Sequence, residues 1–266
     1  MLDRPRPSSV PRRPDRTYRF RWYGETVAQE RSAAETERLM VPLMRGEGVT
    51  ESVRRRIETI DSGGRVLDFG CSFGVLSRLI ADRGNQVLAI DTSEDAIDIA
   101  NEFGKHDKVE YRCQDLFEAK FPDGSFDGVF FSNTIEHLYS VEPFLREFLR
   151  ILKPNGYIIC STPNAHALSD WLSGFVYFRN SESQHLIDHV ARETKNQDLD
   201  HVSAYTRSTL IRLFDRMGFK VESCIVLGHE PFPLGASRMR FPGWLRRMAL
   251  LRGFGDELTL KARRPA

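Results

Sequence analysis

Residues 66–74 have the sequence VLDFGCSFG, and the fold prediction starts from these nine residues. Residues 65–69 form a short apolar run that predicts a β-strand, and the small residues after it predict a tight turn. From Val75 the apolar residues follow helical spacing as far as Gly84, a residue type common just past a helix end. A strand, a turn of small residues and a helix therefore follow one another directly.

The same alternation continues toward higher residue numbers. Further strands are predicted at residues 86–90, 109–112, 126–132, 157–161, 219–227 and 257–262, and helices at residues 93–103, 141–152 and 206–217. This order predicts an α/β fold with a Rossmann-like, seven-stranded, mostly parallel sheet and helices on both faces. The carboxyl ends of parallel strands share one edge, where ligands bind at the point at which the strand order reverses.

The chain divides into three predicted parts. Residues 1–16 are rich in proline and arginine, which predicts a disordered tail. Residues 17–62 are charged with helical spacing and predict an N-terminal helical extension. Residues 63–266 form the Rossmann-like domain, in which residues 164–205 interrupt the alternation and predict an inserted cap over the ligand edge.

Acidic residues lie at three successive strand ends. Asp68, in the first strand, can accept hydrogen bonds from an ammonium group. Asp91 ends the second strand, where a carboxylate can accept both hydroxyls of a ribose. Asp115 follows the third strand and can accept an adenine amino hydrogen, while the N–H of Leu116 can donate to the ring. The turn after Asp68 offers small residues and free N–H groups to a ligand.

These segments resemble the S-adenosylmethionine-dependent methyltransferases of the Rossmann-like class. Within that class they are most similar to the broad group that includes ubiquinone-pathway O-methyltransferases and sugar and natural-product methyltransferases. The resemblance covers residues 64–227 and is carried by VLDFGCSFG, VLAIDTS, YRCQDLFEAKFPDGSFDGVFFSNTIEHL, FLREFLRILKPNGYIICSTPN and HVSAYTRSTLIRLFDRMGFKV. It implies that Asp68, Gly70 and Asn133 line the methionine end of the cofactor, Asp91 holds the ribose, and Asp115 and Leu116 hold the adenine. The candidate cofactor-binding residues are Asp68, Gly70, Ser72, Gly74, Asp91, Thr92, Asp115, Leu116 and Asn133.

Ser72 departs from the family pattern Asp-x-Gly-x-Gly-x-Gly, in which glycine is usual at this position. If the backbone there needs a positive φ, serine costs about 1 kcal/mol relative to glycine. The same residues, GCSFG, match the nucleophile elbow of hydrolases, which would need a later acid and a histidine such as His201 or His229. Hydrolase elbows usually follow several strands, and none is predicted before Gly64. A nicotinamide site is disfavoured because the G-x-G-x-x-G spacing is absent.

The implied function is methyl transfer from S-adenosylmethionine, with S-adenosylhomocysteine as product, to a small-molecule acceptor, and oxygen is the favoured acceptor atom. A histidine near neutral pKa suits a general base, and His137 and His201 are the candidates. Each has a structural alternative: His137 as a hydrogen-bonded helix-entry residue, and His201 as a link between cap and sheet. A binding protein without turnover and a protein acceptor remain alternatives.

Composition limits the partners and the location. The formal net charge of +1 gives no reason to expect nucleic acid. No metal is expected, although His185 and His189 have helical spacing beside Asp188. The four cysteines predict buried free thiols, and the absence of a signal peptide predicts a cytoplasmic protein. Both a monomer and an oligomer are compatible with these features.

Two apolar segments raise the possibility of peripheral membrane contact. Residues 244–251 predict a basic, apolar helix that contains Trp244, and residues 171–178 are rich in aromatics. These segments could form an apolar acceptor pocket or a face for a membrane surface. Ordinary packing of the cap is the favoured interpretation.

Overall fold

The computed structural model describes residues 17–20, 29–165, 202–227, 233–234, 237–238 and 257–266. The predicted tail, most of the predicted cap and the predicted helix at residues 244–251 lie outside the described residues.

The N-terminal extension consists of a hairpin followed by two helices. Strands β1 (Thr17–Phe20) and β2 (Gln29–Ser32) pair antiparallel, and helices α1 (Ala33–Met44) and α2 (Glu51–Glu58) follow. The helical prediction is correct from α1 onward and wrong for the two strands. Threonine and aromatic residues in β1 favour a strand. Helix α1 begins only after Ser32, which forms a capping box with Glu35.

The central sheet has seven strands and is mostly parallel, as predicted. Its strands are β3 (Arg65–Phe69), β4 (Gln86–Asp91), β5 (Val109–Cys113), β6 (Phe126–Ser132), β7 (Leu152–Pro163), β8 (Lys220–Leu227) and β11 (Glu257–Arg263), in the spatial order β5-β4-β3-β6-β7-β11-β8. Strand β11 runs antiparallel to both of its neighbours. Strands β9 (Pro233–Leu234) and β10 (Ser237–Arg238) form a separate antiparallel pair. Strand β7 begins at Leu152, earlier than the predicted residue 157.

The strand order reverses between β3 and β6. Strands β4 and β5 lie on one side of β3, while β6 and β7 lie on the other. The parallel strands of this region end on one edge, at Phe69, Asp91, Cys113 and Ser132. A crevice at such a reversal is the usual ligand position in open α/β sheets. The ends of these strands therefore lie together where the sequence predicts that a ligand binds.

Helices cover both faces of the sheet, as predicted. The remaining helices are α3 (Val75–Asp82), α4 (Glu94–Phe103), α5 (Glu142–Ile151) and α6 (Arg207–Arg216). Helices α2, α3 and α4 contribute to one apolar cluster with Phe130 and Ile159 of the sheet. Helices α5 and α6 contribute to a second cluster with Phe131 and Cys160 on the opposite face. Among the described helices, none is long and apolar enough to cross a membrane.

All four cysteines are free thiols, and their burial differs. Cys71, Cys160 and Cys224 are buried, as the sequence predicts, whereas Cys113 is exposed. Cys113 is the final residue of β5, a strand in which Tyr111 alone is buried, so the prediction of burial is wrong for this residue.

Replacing Phe148 by alanine should remove a central contact of the core. Phe148 is fully buried and its ring packs against Phe69 and Phe131, with ring centroids 5.4 Å and 5.3 Å away. A large buried aromatic replaced by alanine usually costs about 3–5 kcal/mol of unfolding free energy. Urea denaturation followed by circular dichroism measures this loss. The control Tyr139→Ala, at a residue that is 89% exposed, should change stability by less than about 0.5 kcal/mol. Equal losses in both variants would contradict the packing described.

Candidate functional site

The turn between β3 and α3 has a left-handed backbone at alternate residues. Gly70, Ser72 and Gly74 have φ values of +72°, +49° and +79°. The N–H groups of Gly70 and Cys71 both donate to the carbonyl of Ile90, at 2.9 Å and 3.1 Å, which fastens the turn to β4. Ser72 therefore occupies the conformation for which glycine is preferred, at a cost of about 1 kcal/mol.

Two glycines in this turn are in close contact with other elements. A Cβ on Gly74 would lie 2.3 Å from the ring of Tyr111, and a Cβ on Gly70 would lie 2.7 Å from Oγ1 of Thr134. The hydroxyl of Tyr111 donates toward the carbonyls of Gly74 and Gly104, at 3.2 Å and 3.0 Å. From the sequence, we predicted that the small residues of this turn leave space for a ligand. At Gly74 the structure shows that the ring of Tyr111 occupies the space that a side chain would need.

The carboxylate of Asp91 connects the turn to the end of β4 by hydrogen bonds. One carboxylate oxygen accepts from the N–H of Ser72 at 2.8 Å, and the other accepts from the N–H of Ser93 at 3.0 Å. A carboxylate has about four acceptor positions, so each oxygen can still accept a hydrogen bond from a ligand. Thr92, the neighbouring candidate, is exposed.

Asp68 is a buried acid in the strand beside Asp91. Its side chain is 2% exposed, and one oxygen accepts from the hydroxyl of Ser77 at 2.6 Å. Burial raises the pKa of Asp68 from 3.8 to about 7; the bond from Ser77 opposes this rise and the charge of Asp91 adds to it. A cationic ligand group would favour the charged form of Asp68. Sequence reasoning missed Ser77, although it is a polar residue three positions before the buried Ile80.

Asp115 shapes the turn that follows β5. Its Oδ1 accepts from the N–H groups of Phe117 and Glu118, at 2.8 Å and 3.2 Å, while Leu116 is fully buried. Because both of these bonds use Oδ1, an adenine amino group would have to be bound by Oδ2. The N–H of Gln114 donates to the carbonyl of Asp91, which holds this turn beside β4.

Asn133 and His137 lie beyond the end of β6. Asn133 is exposed, has φ of +50°, and donates its N–H to the carbonyl of Ser161 at 2.9 Å. His137 is exposed and ends a short 3-10 helix, Ile135–His137. His137 thus lies beyond the carboxyl end of β6, four residues past Asn133.

Glu136 braces the junction between this 3-10 helix and the predicted cap. It is 1% exposed and accepts from the hydroxyl of Thr162 at 2.9 Å. Its backbone carbonyl accepts from the N–H groups of Val202 and Ser203. The two ends of the predicted cap also meet, because the N–H of Ala165 donates to the carbonyl of Tyr205 at 2.8 Å.

Several candidates lie outside the described residues. These are His201, the aromatic segment at residues 171–178, the predicted helix at residues 244–251, and the possible metal-binding residues His185, Asp188 and His189. Within the described ranges, no three or more histidine, cysteine or acidic side chains are grouped so that they could hold a metal ion.

Comparison with protein families identifies the family of this chain. The methyltransferase domain family matches residues 44–224, which is more than half of the chain. The chain therefore belongs to this family, and the resemblance found in the sequence is confirmed. The hydrolase interpretation of Ser72 has no support from this match.

Individual relatives match shorter regions. A Mycolicibacterium smegmatis protein named as a probable S-adenosylmethionine-dependent methyltransferase is 35% identical over 114 residues, or 43% of this chain and 44% of that protein. The ubiquinone biosynthesis O-methyltransferase of Xanthomonas oryzae pv. oryzae is 38% identical over 106 residues, or 39% of this chain and 44% of that protein. The chain thus spans less than half the length of these two curated relatives.

A solved structure supports the fold. The S-adenosylmethionine-dependent methyltransferase from Mesorhizobium loti superposes with a TM-score of 0.54, over 83% of this chain and 100% of that chain. The sequence identity is 20%, so this likeness shows the shared fold alone.

The raised pKa of Asp68 predicts a pH dependence of stability. Between about pH 4 and pH 7 the folded protein keeps the Asp68 proton while the unfolded chain loses it. The free energy of unfolding therefore falls as pH rises through this window. Asp68→Asn removes this contribution, so the variant should gain stability relative to the wild type from pH 4 to pH 7 and show no further gain above it. Urea denaturation of both proteins across this range tests the prediction, and a difference independent of pH would contradict it.

Proposed function

We propose that the chain transfers a methyl group from S-adenosylmethionine to a hydroxyl oxygen of a small molecule. The observation that carries this proposal is the pair of carboxylates, Asp68 and Asp91, at the ends of neighbouring strands beside the turn of Gly70 and Ser72. Membership of the methyltransferase domain family supports the reaction class. The name of the Xanthomonas oryzae relative supports an oxygen acceptor.

The chemistry of these residues fits the cofactor. Asp68 is a buried acid next to a second negative charge, and this environment favours a cationic partner such as the ammonium of the methionine part. Asp91 keeps acceptor positions on both oxygens for the two ribose hydroxyls. Asp115 and Leu116 are the residues that would hold the adenine.

Orientation is the main contribution that the protein can make. The cofactor supplies an already activated methyl group on a positively charged sulfur. The chain must therefore align donor and acceptor and keep water out, and alignment alone can lower a barrier by about 7–11 kcal/mol. The fixed turn at residues 70–74 and the carboxylates that flank it serve this alignment.

His137 is our candidate for the general base. It lies at the same edge as Asn133, and its backbone N–H donates to the carbonyl of Thr134 at 3.1 Å, which fixes its place in the 3-10 helix. An imidazole suits proton removal from a hydroxyl near neutral pH. His201 remains a second candidate from the sequence.

Calorimetric titration with S-adenosylmethionine and S-adenosylhomocysteine tests the cofactor assignment. We expect micromolar binding by the wild type and at least tenfold weaker binding by Asp91→Ala, about 1.4 kcal/mol, because the ribose and the N–H of Ser72 both lose an acceptor. The control Asp95→Ala makes the same charge change on the exposed start of α4 and should bind like the wild type. Unchanged binding by Asp91→Ala would refute the assignment.

An acceptor panel tests the oxygen target. With release of S-adenosylhomocysteine as the readout, we expect turnover of a hydroxyl acceptor such as a phenol, a catechol or a sugar. His137→Gln should lower kcat at neutral pH by about 10²–10⁴, the usual contribution of a general base. His106→Gln is the control. His106 precedes β5, and its Nε2 lies 3.3 Å from Oδ1 of Asp82 at the end of α3, so this variant should keep wild-type activity. Turnover of amines alone would exclude the oxygen target, and binding without any turnover would favour a binding protein.

A further inference from the structure

Arg56 is a buried charged residue on the apolar face of α2. Val53, Arg56, Ile57 and Ile60 follow the spacing of one helix face, and Arg56 is only 3% exposed. A buried guanidinium is costly unless it is paired and hydrogen-bonded. Its partners should therefore show what the side chain does.

The partners of Arg56 belong to two strands at the ligand edge. One guanidinium nitrogen donates to the hydroxyl of Ser132, the last residue of β6. Another pairs with the carboxylate of Glu257, the first residue of β11. Because β11 runs antiparallel, its start lies at the same edge as the ends of β6 and β7, and Glu257 is in register with Pro163.

Ser161 completes this buried polar cluster. Its hydroxyl donates to that of Ser132 at 2.9 Å, and the two serines are in register on neighbouring parallel strands. Arg56, Ser132, Ser161 and Glu257 thus form one connected network, which we call the Arg56 cluster.

The Arg56 cluster continues into the turn that faces the cofactor site. The carbonyl of Ser161 accepts from the N–H of Asn133 at 2.9 Å, and the carbonyl of Ser132 accepts from the hydroxyl of Thr134 at 3.1 Å. Thr134 in turn packs directly against Gly70, where no room remains for a Cβ. The position of Ser132 therefore sets the position of Asn133 and, through Thr134, constrains Gly70.

We propose that Arg56 is a positioning residue for the methionine end of the cofactor site, acting through Ser132, Ser161 and Glu257. This inference rests on the proposed function, because it takes Asn133 and Gly70 as neighbours of the methionine part. It assigns a role in the site to the N-terminal extension and to β11, neither of which supplies a residue of the turns that bind the nucleoside.

A second set of contacts provides a matched control. Asp61, just beyond α2, pairs with Lys261 and Arg263 of β11 at 2.6 Å and 2.9 Å. These ion pairs connect the same two parts of the chain at the other end of β11, away from Glu257. Asp61→Asn should lower stability without affecting the site.

Two ligands separate the methionine end from the nucleoside end. S-adenosylhomocysteine carries the amino-acid part, and 5′-deoxy-5′-methylthioadenosine lacks it. For Arg56→Gln we expect calorimetric binding of S-adenosylhomocysteine to weaken at least tenfold and that of methylthioadenosine less than twofold. Arg56→Lys, which keeps the charge and loses the fork of donors, should be intermediate. Asp61→Asn should bind both ligands like the wild type.

Variants of the partners test action through the network. Ser132→Ala and Glu257→Gln should show the same selective loss as Arg56→Gln, and Ser132→Ala keeps the ion pair if Arg56→Gln does not fold. Equal weakening of both ligands, or of neither, in folded variants would overturn the positioning role. A selective loss in Arg56→Gln alone would overturn it too, since Arg56 would then contact the ligand itself. If the wild type binds neither ligand, the proposed function fails together with this inference.

Discussion

The left-handed turn between β3 and α3 is the constraint on which the site depends. Its alternating positive φ values direct the N–H groups of Gly70, Cys71 and Ser72 toward β4 and start α3 at Val75. Ser72 costs about 1 kcal/mol in this conformation. Its backbone N–H donates to the carboxylate of Asp91 at 2.8 Å, a bond that the chain can make with either serine or glycine at this position. The serine departure from the family pattern is therefore compatible with the same turn.

Two acidic side chains lie next to each other at the ligand edge of the sheet. Asp68 and Asp91 lie on adjacent strands, and burial raises the pKa of Asp68, a rise to which the charge of Asp91 adds. A site of this kind binds a cation better than a neutral group, and binding of a cation lowers the pKa again. Ligand affinity and the protonation of Asp68 are thus linked properties of one pair of acids.

The sequence predicted what depends on local pattern. Apolar runs and their spacing placed the sheet strands and helices, and the acids at the strand ends followed from those placements. Tyr111, Ser77 and Arg56 could not be found in this way, because their roles depend on contacts between residues distant in the chain. Arg56 left one usable signal, a charge on the apolar face of α2. The hairpin of β1 and β2 was missed because all of residues 17–62 were assigned to helices on the basis of charged residues with helical spacing. The threonine and aromatic residues of β1, which favour a strand, were not given weight.

Strand β11 enters the sheet between two strands that precede it in the chain, β7 and β8. During synthesis, β3 to β7 can pair before β11 exists, and one side of β7 then presents unpaired backbone groups. Strand β8 has β11 as its only neighbour in the described sheet, so β8 cannot join the sheet until β11 has been synthesised. Open edges of this kind pair readily with other chains. The nascent protein is therefore most prone to association with other molecules after β7 has been synthesised and before β11 has been.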